Sequence, residues 1–397
     1  MFFVGNVIMK KTLYVFQLAI LGFIVMGCMS FQMIDIDEET ILLEYFKPIL
    51  VSGNDFIAYL DDNQELWMWG DNTSYQLNID GTSKSLPFKI THTIEFQEDE
   101  HIIHMDAGYA HIGILTSLGN VWMWGNNAYG QLGFDGVEKA LSTVINQYLP
   151  LEEDERIIDI KLGGFHTGLL TSHNRLILFG SNTSGQLGNN TVSITGKPYS
   201  LEFNHEITSY DLGADHSVVI SDQRLFVWGS QVNGQLGLGD VLNQHTPVEL
   251  SYAFDGQPSH VFLGTGNTYV MTNEAYIYGF GKSVYGLLGS NTDVDIYTPI
   301  LVTENLDTSF SVSISLGYAH AIMLSETNVF GIGSNTLGQL PNVTKMYVNQ
   351  FKQLNVDTNI VHVATGGHYS VFVDKEQSFW IFGYSDTIQI GHIQLPL

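Results

Sequence analysis

The chain has 397 residues, with 41 Asp and Glu against 15 Lys and Arg, a formal net charge of −26. Charged residues are only 14 % and hydrophobic ones 44 %, which excludes a disordered chain, and a single Cys excludes a disulfide scaffold. The acidic balance would repel the phosphates of a nucleic acid, while 40 Gly and 12 % aromatics suit an all-β chain of short strands and tight turns.

The N-terminus carries an export signal. Lys10 and Lys11 precede an apolar run from Leu13 to Met26, broken by Gln17. The run is short for a membrane span, which needs about 20 apolar residues, and suits a signal h-region. It ends in Val25-Met26-Gly27-Cys28, which resembles the bacterial lipobox, where the cysteine is lipidated and everything before it is removed. Cys28 is the only cysteine, as expected if the thiol serves acylation alone. Residues 1–27 are therefore expected to be a lipoprotein signal peptide. An uncleaved single-helix anchor and ordinary secretion stay open, as do Met1 and Met9 as starts. All three fates place the remainder outside the cytoplasm. Residues 28–39, with Asp35, Asp37, Glu38 and Glu39, read as an acidic tether. Removing residues 1–27 takes away two lysines and no acid, so the charge falls from −26 to −28.

From residue 40 onward the chain is periodic. The clearest copy of one segment is Val121 to Gly133, VWMWGNNAYGQLG; Leu176 to Gly188 and Leu225 to Gly237 repeat it as LILFGSNTSGQLG and LFVWGSQVNGQLG. Weaker copies run from Leu66, Ile277, Val329 and Phe379. The residue before the recurring glycine is Trp69, Trp124, Phe179, Trp228, Phe280, Ile332 and Phe382, at spacings of 49 to 55. About a dozen residues upstream lies a second signature: Gly108-Tyr109-Ala110-His111, Gly163-Gly164-Phe165-His166, Gly213-Ala214-Asp215-His216 and Gly317-Tyr318-Ala319-His320. Degenerate copies start at Gly53, Gly264 and Gly366. Apolar runs flank each signature, and a variable stretch supplies a fourth strand. Four short strands per unit of about 50 residues predict a propeller blade, and seven copies predict seven blades.

These two signatures resemble the repeats of the regulator of chromosome condensation family. The resemblance covers residues 41–397 and implies an all-β, seven-bladed β-propeller over 40–397. Only six residues, His392 to Leu397, follow Gly391, so the seventh blade is expected to lack its last strand. Thr40 to Tyr45 is expected to supply it and close the ring.

No catalytic set stands out. His111, His166, His216 and His320 occupy one repeat position, where Phe56, Asn267 and Tyr369 stand in other copies. Equivalent positions in seven blades lie too far apart for one metal, so a buried imidazole bonding the neighbouring blade's backbone is the expected role. Gly279-Phe280-Gly281-Lys282-Ser283 aligns with the repeat and lacks the phosphate-loop spacing. Asp80-Gly81 and Asp135-Gly136 read as turns rather than calcium ligands. No cofactor, metal or nucleic acid is expected. Glu98-Asp99-Glu100 and Glu152-Glu153-Asp154-Glu155 each precede a blade's first strand, on the same rim of adjacent blades. Both a solvated surface and an electronegative patch for a basic partner fit them; Glu98, Asp99, Glu100, Glu152, Glu153 and Asp154 form the candidate partner site.

The expected function is that of a monomeric, membrane-anchored, extracytoplasmic protein-binding module. An inhibitor resembling the β-lactamase inhibitor protein built from the same repeats is the alternative. A propeller lyase would need a base and metal-binding acids at the central opening, and no such set is evident. Guanine nucleotide exchange on a nuclear GTPase, the best-known role in the family, fits poorly with export and acidity.

Overall fold

The computed structural model describes residues 47–90, 94–290, 293–303, 312–356 and 359–396. Cys28, the acidic tether and Thr40 to Tyr45 lie outside the described residues. Seven four-stranded antiparallel sheets follow one another, each with its strands in chain order. The blades span Ile49–Lys89, Ile102–Val144, Ile157–Glu202, Ile207–Glu249, Pro258–Thr303, Val312–Gln353 and Ile360–Gln394. Among the described residues the remaining regular structure is two single turns of 3-10 helix, Asn146–Tyr148 and Val284–Gly286.

Blade 2 shows why the sequence folds this way. Its inner strand is Ile102–Ala107, followed by His111–Thr116, Val121–Asn126 and the outer strand Lys139–Val144. The second strand is buried along its whole length, while the outer strand is only partly covered. The repeat glycines meet two steric demands. A Cβ on Gly125, at φ +106°, would lie 2.5 Å from Ala110 O, and one on Gly108 would lie 2.1 Å from the His111 ring. The third strand and the turn after the first must therefore both close directly on His111, which starts the second.

Each core cluster is shared by two blades. Leu115, Val121, Met123 and Leu132 of blade 2 pack on Ile157, Ile160, Leu162 and Phe179 of blade 3. Trp124 packs backward among Met68 and Leu77 of blade 1, and its Nε1 donates to Gln76 O at 2.9 Å. No blade covers its own apolar faces, so folding is collective.

A belt of backbone hydrogen bonds runs from blade to blade where the inner strands end. Asn54 N donates to Tyr109 O (3.1 Å), Tyr109 N to Gly164 O (3.3 Å) and Gly164 N to Gly213 O (3.0 Å). Ala214 N donates to Gly264 O (3.3 Å), Tyr318 N to Gly367 O (3.1 Å) and Gly367 N to Asn54 O (3.0 Å). The last of these joins blade 7 to blade 1. The Tyr369 hydroxyl crosses the same junction to Phe56 O (2.9 Å) and Gly53 O (3.2 Å).

The closure differs from the sequence expectation. Blade 7 has its own fourth strand, Gly391–Gln394, paired in register from Ser378↔Gln394 to Ile381↔Gly391. Ile393 is buried in the core shared with Trp69, and His392 stacks on Trp380 at 4.3 Å. The strand begins on the last residue of the repeat motif itself, without the intervening loop of other blades, so six trailing residues are enough.

Because strands alternate in direction, the loops sort onto two faces. Turns between first and second strands, and loops between third and fourth, share one face, here the mouth face. Turns between second and third strands, and the connectors between blades, share the opposite connector face.

Candidate functional site

The repeat residues are consumed by the fold. His111 Nε2 lies 3.1 Å from Thr167 Oγ1 of the next blade, and Thr167 Oγ1 donates back to Gln131 O at 2.8 Å. His166–Ser217–Gln186 and His216–Thr268–Gln235 repeat the relay. His320 lies 3.0 Å from Ser370 Oγ. In the three complete relays the hydroxyl proton is committed to the carbonyl, so the imidazole Nε2 must carry the donated hydrogen. Burial pushes His111, His166 and His216 down to about 3 and His320 to about 4, so all four are neutral. The histidines therefore staple blades through the neighbour's side-chain hydroxyl, and His111, His216 and His320 also bond the neighbour's backbone, at His166, Asn267 and Tyr369.

The inner strands bring together charges that sequence reasoning passed over. Asp106, Lys161 and Asp211 stand two residues before the repeat glycine in blades 2, 3 and 4; His104 and Asp159 stand four before it in blades 2 and 3. His104 Nδ1 lies 2.9 Å from Asp159 Oδ1. Burial raises the Asp106 and Asp211 carboxyls, the latter to about 6, with Lys161 opposing. Burial would lower the Lys161 pKa, but Asp106, Asp211 and Asp159 outweigh it. A base and several acids thus do meet around the axis, contrary to the sequence reading. Their geometry commits them elsewhere. Asp106 accepts Ala107 N and, across the blade boundary, Leu162 N at 2.6 Å; Asp211 accepts Leu212 N and Leu263 N at 2.7 Å. Both oxygens of each carboxylate already hold backbone amides. Only their shared position two before the repeat glycine links them, and the residue type there changes from blade to blade.

On the mouth face the turns surround an axial cavity of about 100 Å³. Tyr109, Gly164, Ala214, Thr265 and Tyr318 line it above a collar that includes Leu162, Leu212, Leu263 and Leu316. The Tyr109 hydroxyl spans from blade 2 to Thr265 Oγ1 of blade 5 at 2.9 Å. Its ring meets Phe165 at 5.1 Å and Tyr318 at 5.8 Å, and Tyr318 meets His368 at 5.1 Å.

On the connector face the acidic runs divide. Glu98, Asp99, Glu152, Glu153 and Asp154 are exposed, at equivalent places in the connectors before blades 2 and 3. Glu100 is not part of that surface. It is buried, accepts Gln97 N and Asn120 Nδ2 at 2.9 and 2.8 Å, and is bonded by the Thr116 hydroxyl. The candidate set therefore loses Glu100, for it braces the turn from inside. Glu155 occupies the equivalent place, gripped by the Arg175 guanidinium. Burial would raise the Glu155 carboxyl, but Arg175 and the turn hydrogen bonds lower it to about 2. Glu152, Glu155 and His173 approach closely enough to suggest a cation site, yet Arg175 already pairs with both carboxylates, with Nη1 3.2 Å from Glu152 Oε1.

Repeat-family models for the regulator of chromosome condensation (RCC1) repeat match residues 119–170, 222–271 and 102–131. The regulator of chromosome condensation of Xenopus laevis is 25 % identical over 346 residues, covering 81 % of this chain and 79 % of that one. The ultraviolet-B receptor UVR8 of Arabidopsis thaliana is 27 % identical over 311 residues, 76 % of this chain and 68 % of its own. A bifunctional kinase and ubiquitin-protein ligase of Dictyostelium discoideum is 26 % identical over 349 residues, but the chain spans only 18 % of its length. Among solved structures, yeast RCC1 (Prp20) bound to Kap60 superposes with a TM-score of 0.72 at 18 % identity, covering 91 % of this chain and 86 % of that one. Human WBSCR16 gives 0.71 at 22 %, covering 82 % and 86 %. Sheet order, core and repeats together define an all-β, seven-bladed propeller. The chain carries regulator of chromosome condensation (RCC1) repeats within that propeller.

Proposed function

We propose that this propeller acts by binding a protein partner without turnover, held by lipid on Cys28 at a membrane and facing away from the cytoplasm. The observation that carries the reading is the division of labour among residues. Motif histidines and glutamines, with Trp124 and Trp228, spend hydrogen bonds inside the ring, while loops that differ between copies carry the exposed charge. Exposed Glu98 and Asp99 stand beside exposed Glu152, Glu153 and Asp154 in consecutive connectors, so their fields add and favour a basic partner. The RCC1 of yeast in the solved complex binds a protein, Kap60; that mode, not that partner, is what we carry over. The chain is proposed to work as a monomer, without cofactor or nucleic acid.

The test captures partners on the full chain from its native host. Replacing Glu98, Asp99, Glu152, Glu153 and Asp154 with Ser, with Glu100 left intact, should weaken capture and flatten its salt dependence, since screening sets in over about 8–10 Å at physiological ionic strength. Unchanged affinity and salt dependence would remove the acidic rim from the function. Fatty-acid labelling should tag the wild type and not Cys28→Ser; equal labelling refutes the anchor.

A further inference from the structure

The mouth of the axial cavity has a chemistry that the acidic rim does not share. Two partly exposed rings, Tyr109 and Tyr318, line the opening, backed by the partly exposed Phe165 and the exposed His368. Two partly exposed carboxylates flank them, Asp55 in blade 1 and Asp215 in blade 4. Burial raises both carboxyls, and the two tyrosines feel them: Asp215 acts on the Tyr109 hydroxyl and Asp55 on that of Tyr318. Among the described residues neither Asp55 nor Asp215 forms an ion pair. The donors on them are neutral: Asn54 Nδ2 (3.1 Å) and Ser385 Oγ (3.1 Å) on Asp55, and Gln235 Nε2 (3.4 Å) and the Ser230 hydroxyl on Asp215. Asp71 and Asp386 add further negative charge near Asp55, and His368 opposes it. Lys282 stands at the edge, its stem beside Gly266. A buried acceptor, Asn54 Oδ1, has no hydrogen-bond partner, and Asn54 lines the cavity.

We propose that this mouth is a binding site for one cationic side chain, arginine or lysine, of a protein partner. Lys282 and His368 aside, the unspent polar atoms at the opening can accept, and a guanidinium or ammonium offers only donors. The aromatic rings supply their negative faces to the same charge. Size decides against a larger ligand: about 100 Å³ admits the head of one side chain, whereas nucleotide- and drug-sized ligands occupy roughly 300–1,000 Å³. The rim of the same face suits a protein rather than a free ion. Loops between third and fourth strands expose Val192, Val232, Val241, Leu242, Val294 and Met346, apolar contacts that a polypeptide carrying the cation would cover. This site rests on the protein-binding reading and places a second, sharper contact on the face opposite the acidic rim.

The test measures fluorescence polarisation of a labelled Gly-Gly-Arg-Gly-Gly peptide on the full chain, with a lysine and a citrulline peptide in parallel. Citrulline keeps the shape of arginine and removes the charge. The arginine or lysine peptide should bind more tightly than the citrulline peptide. Asp215→Asn and Tyr318→Leu should each weaken the cationic peptide about five- to thirtyfold. Melting curves identify any variant that fails to fold, and Asp55→Asn serves as a replacement for it. The serine variant of the acidic rim should bind the peptides as the wild type does. Equal affinity for arginine, lysine and citrulline peptides, or unchanged affinity in both mouth variants, overturns the site. Neither result touches the partner-capture experiment, which uses none of these variants.

Discussion

At the scale of single residues, the repeat motif reads as a set of hydrogen-bond assignments. Trp124 and Trp228 are fully buried, and truncating either to Ala should cost roughly 3–5 kcal/mol in denaturant titrations. Replacement by Phe should separate them. Gln186 O receives both Trp228 Nε1 and Ser217 Oγ, whereas Trp124 Nε1 is the side-chain donor to Gln76 O. Trp124→Phe should therefore cost about 1 kcal/mol more than Trp228→Phe, and equal costs would refute that assignment. The histidines give a pH dependence of definite sign. Their pKa values near 3 and 4 lie below the ordinary 6.5, so below that pH the unfolded chain binds protons that the folded one refuses. Their stabilisation is complete above pH 6.5 and drains as pH falls toward 3, by about 1.4 kcal/mol per pH unit for each imidazole. Asp211, raised to about 6, works in the opposite direction between about 6 and 4. His216→Asn, which copies Asn267 of blade 5, should flatten the fall of melting temperature between pH 6 and 4.5. Parallel curves for wild type and variant would show that His216 does not titrate on unfolding.

At the scale of strands and turns, the two acidic connectors look alike in sequence and differ in what each residue does. The side chain of Glu155 is fully covered and that of Arg175 nearly so. Arg175→Leu should leave a buried carboxylate without its partner and cost about 3–5 kcal/mol. Serine at the exposed Glu98 and Asp99 should change stability by no more than about 0.5 kcal/mol. A small loss in Arg175→Leu would mean that Glu155 reaches water. The strands themselves were legible in the sequence because a glycine recurs at one place in every blade, as at Gly125, where no side chain fits. Three features were not. The strand Gly391–Gln394 overlaps the motif that was used to define the blade. Glu100 ends an acidic run whose other members face solvent, a distinction set in part by its partners Thr116 and Asn120, 16 and 20 positions along the chain. Asp106, Lys161 and Asp211 lie at positions that repeat in space while their chemical type changes from blade to blade, so no motif marks them. The mouth was hidden for a related reason. Tyr109 and Thr265 are 156 positions apart and meet only because the ring turns back on itself.

At the scale of the whole molecule, the junction of blades 7 and 1 is held by the Gly367–Asn54 backbone bond and the Tyr369 hydroxyl. Tyr369→Phe removes the hydroxyl and should cost about 1–1.5 kcal/mol. The cost should be local at first: in hydrogen exchange, the Gly367 and Asn54 amides should speed up more than the Tyr109 and Gly164 amides of the next junctions. Uniform acceleration around the belt would mean that the ring opens as one unit, with no preferred junction.

Blades that each complete their own sheet in chain order have a further consequence. A ring closed by a borrowed strand has a fixed seam, because cutting elsewhere would split a sheet. Here every connector is an equivalent place to open the circle. Between blades 3 and 4 four residues, 203–206, carry the chain from the outer strand of one to the inner strand of the next. A linker of that length should therefore join Gln394 to Ile49. New termini opened within 145–156 should then give a circular permutant of the same blades, with the old junction now the most firmly tethered of the seven.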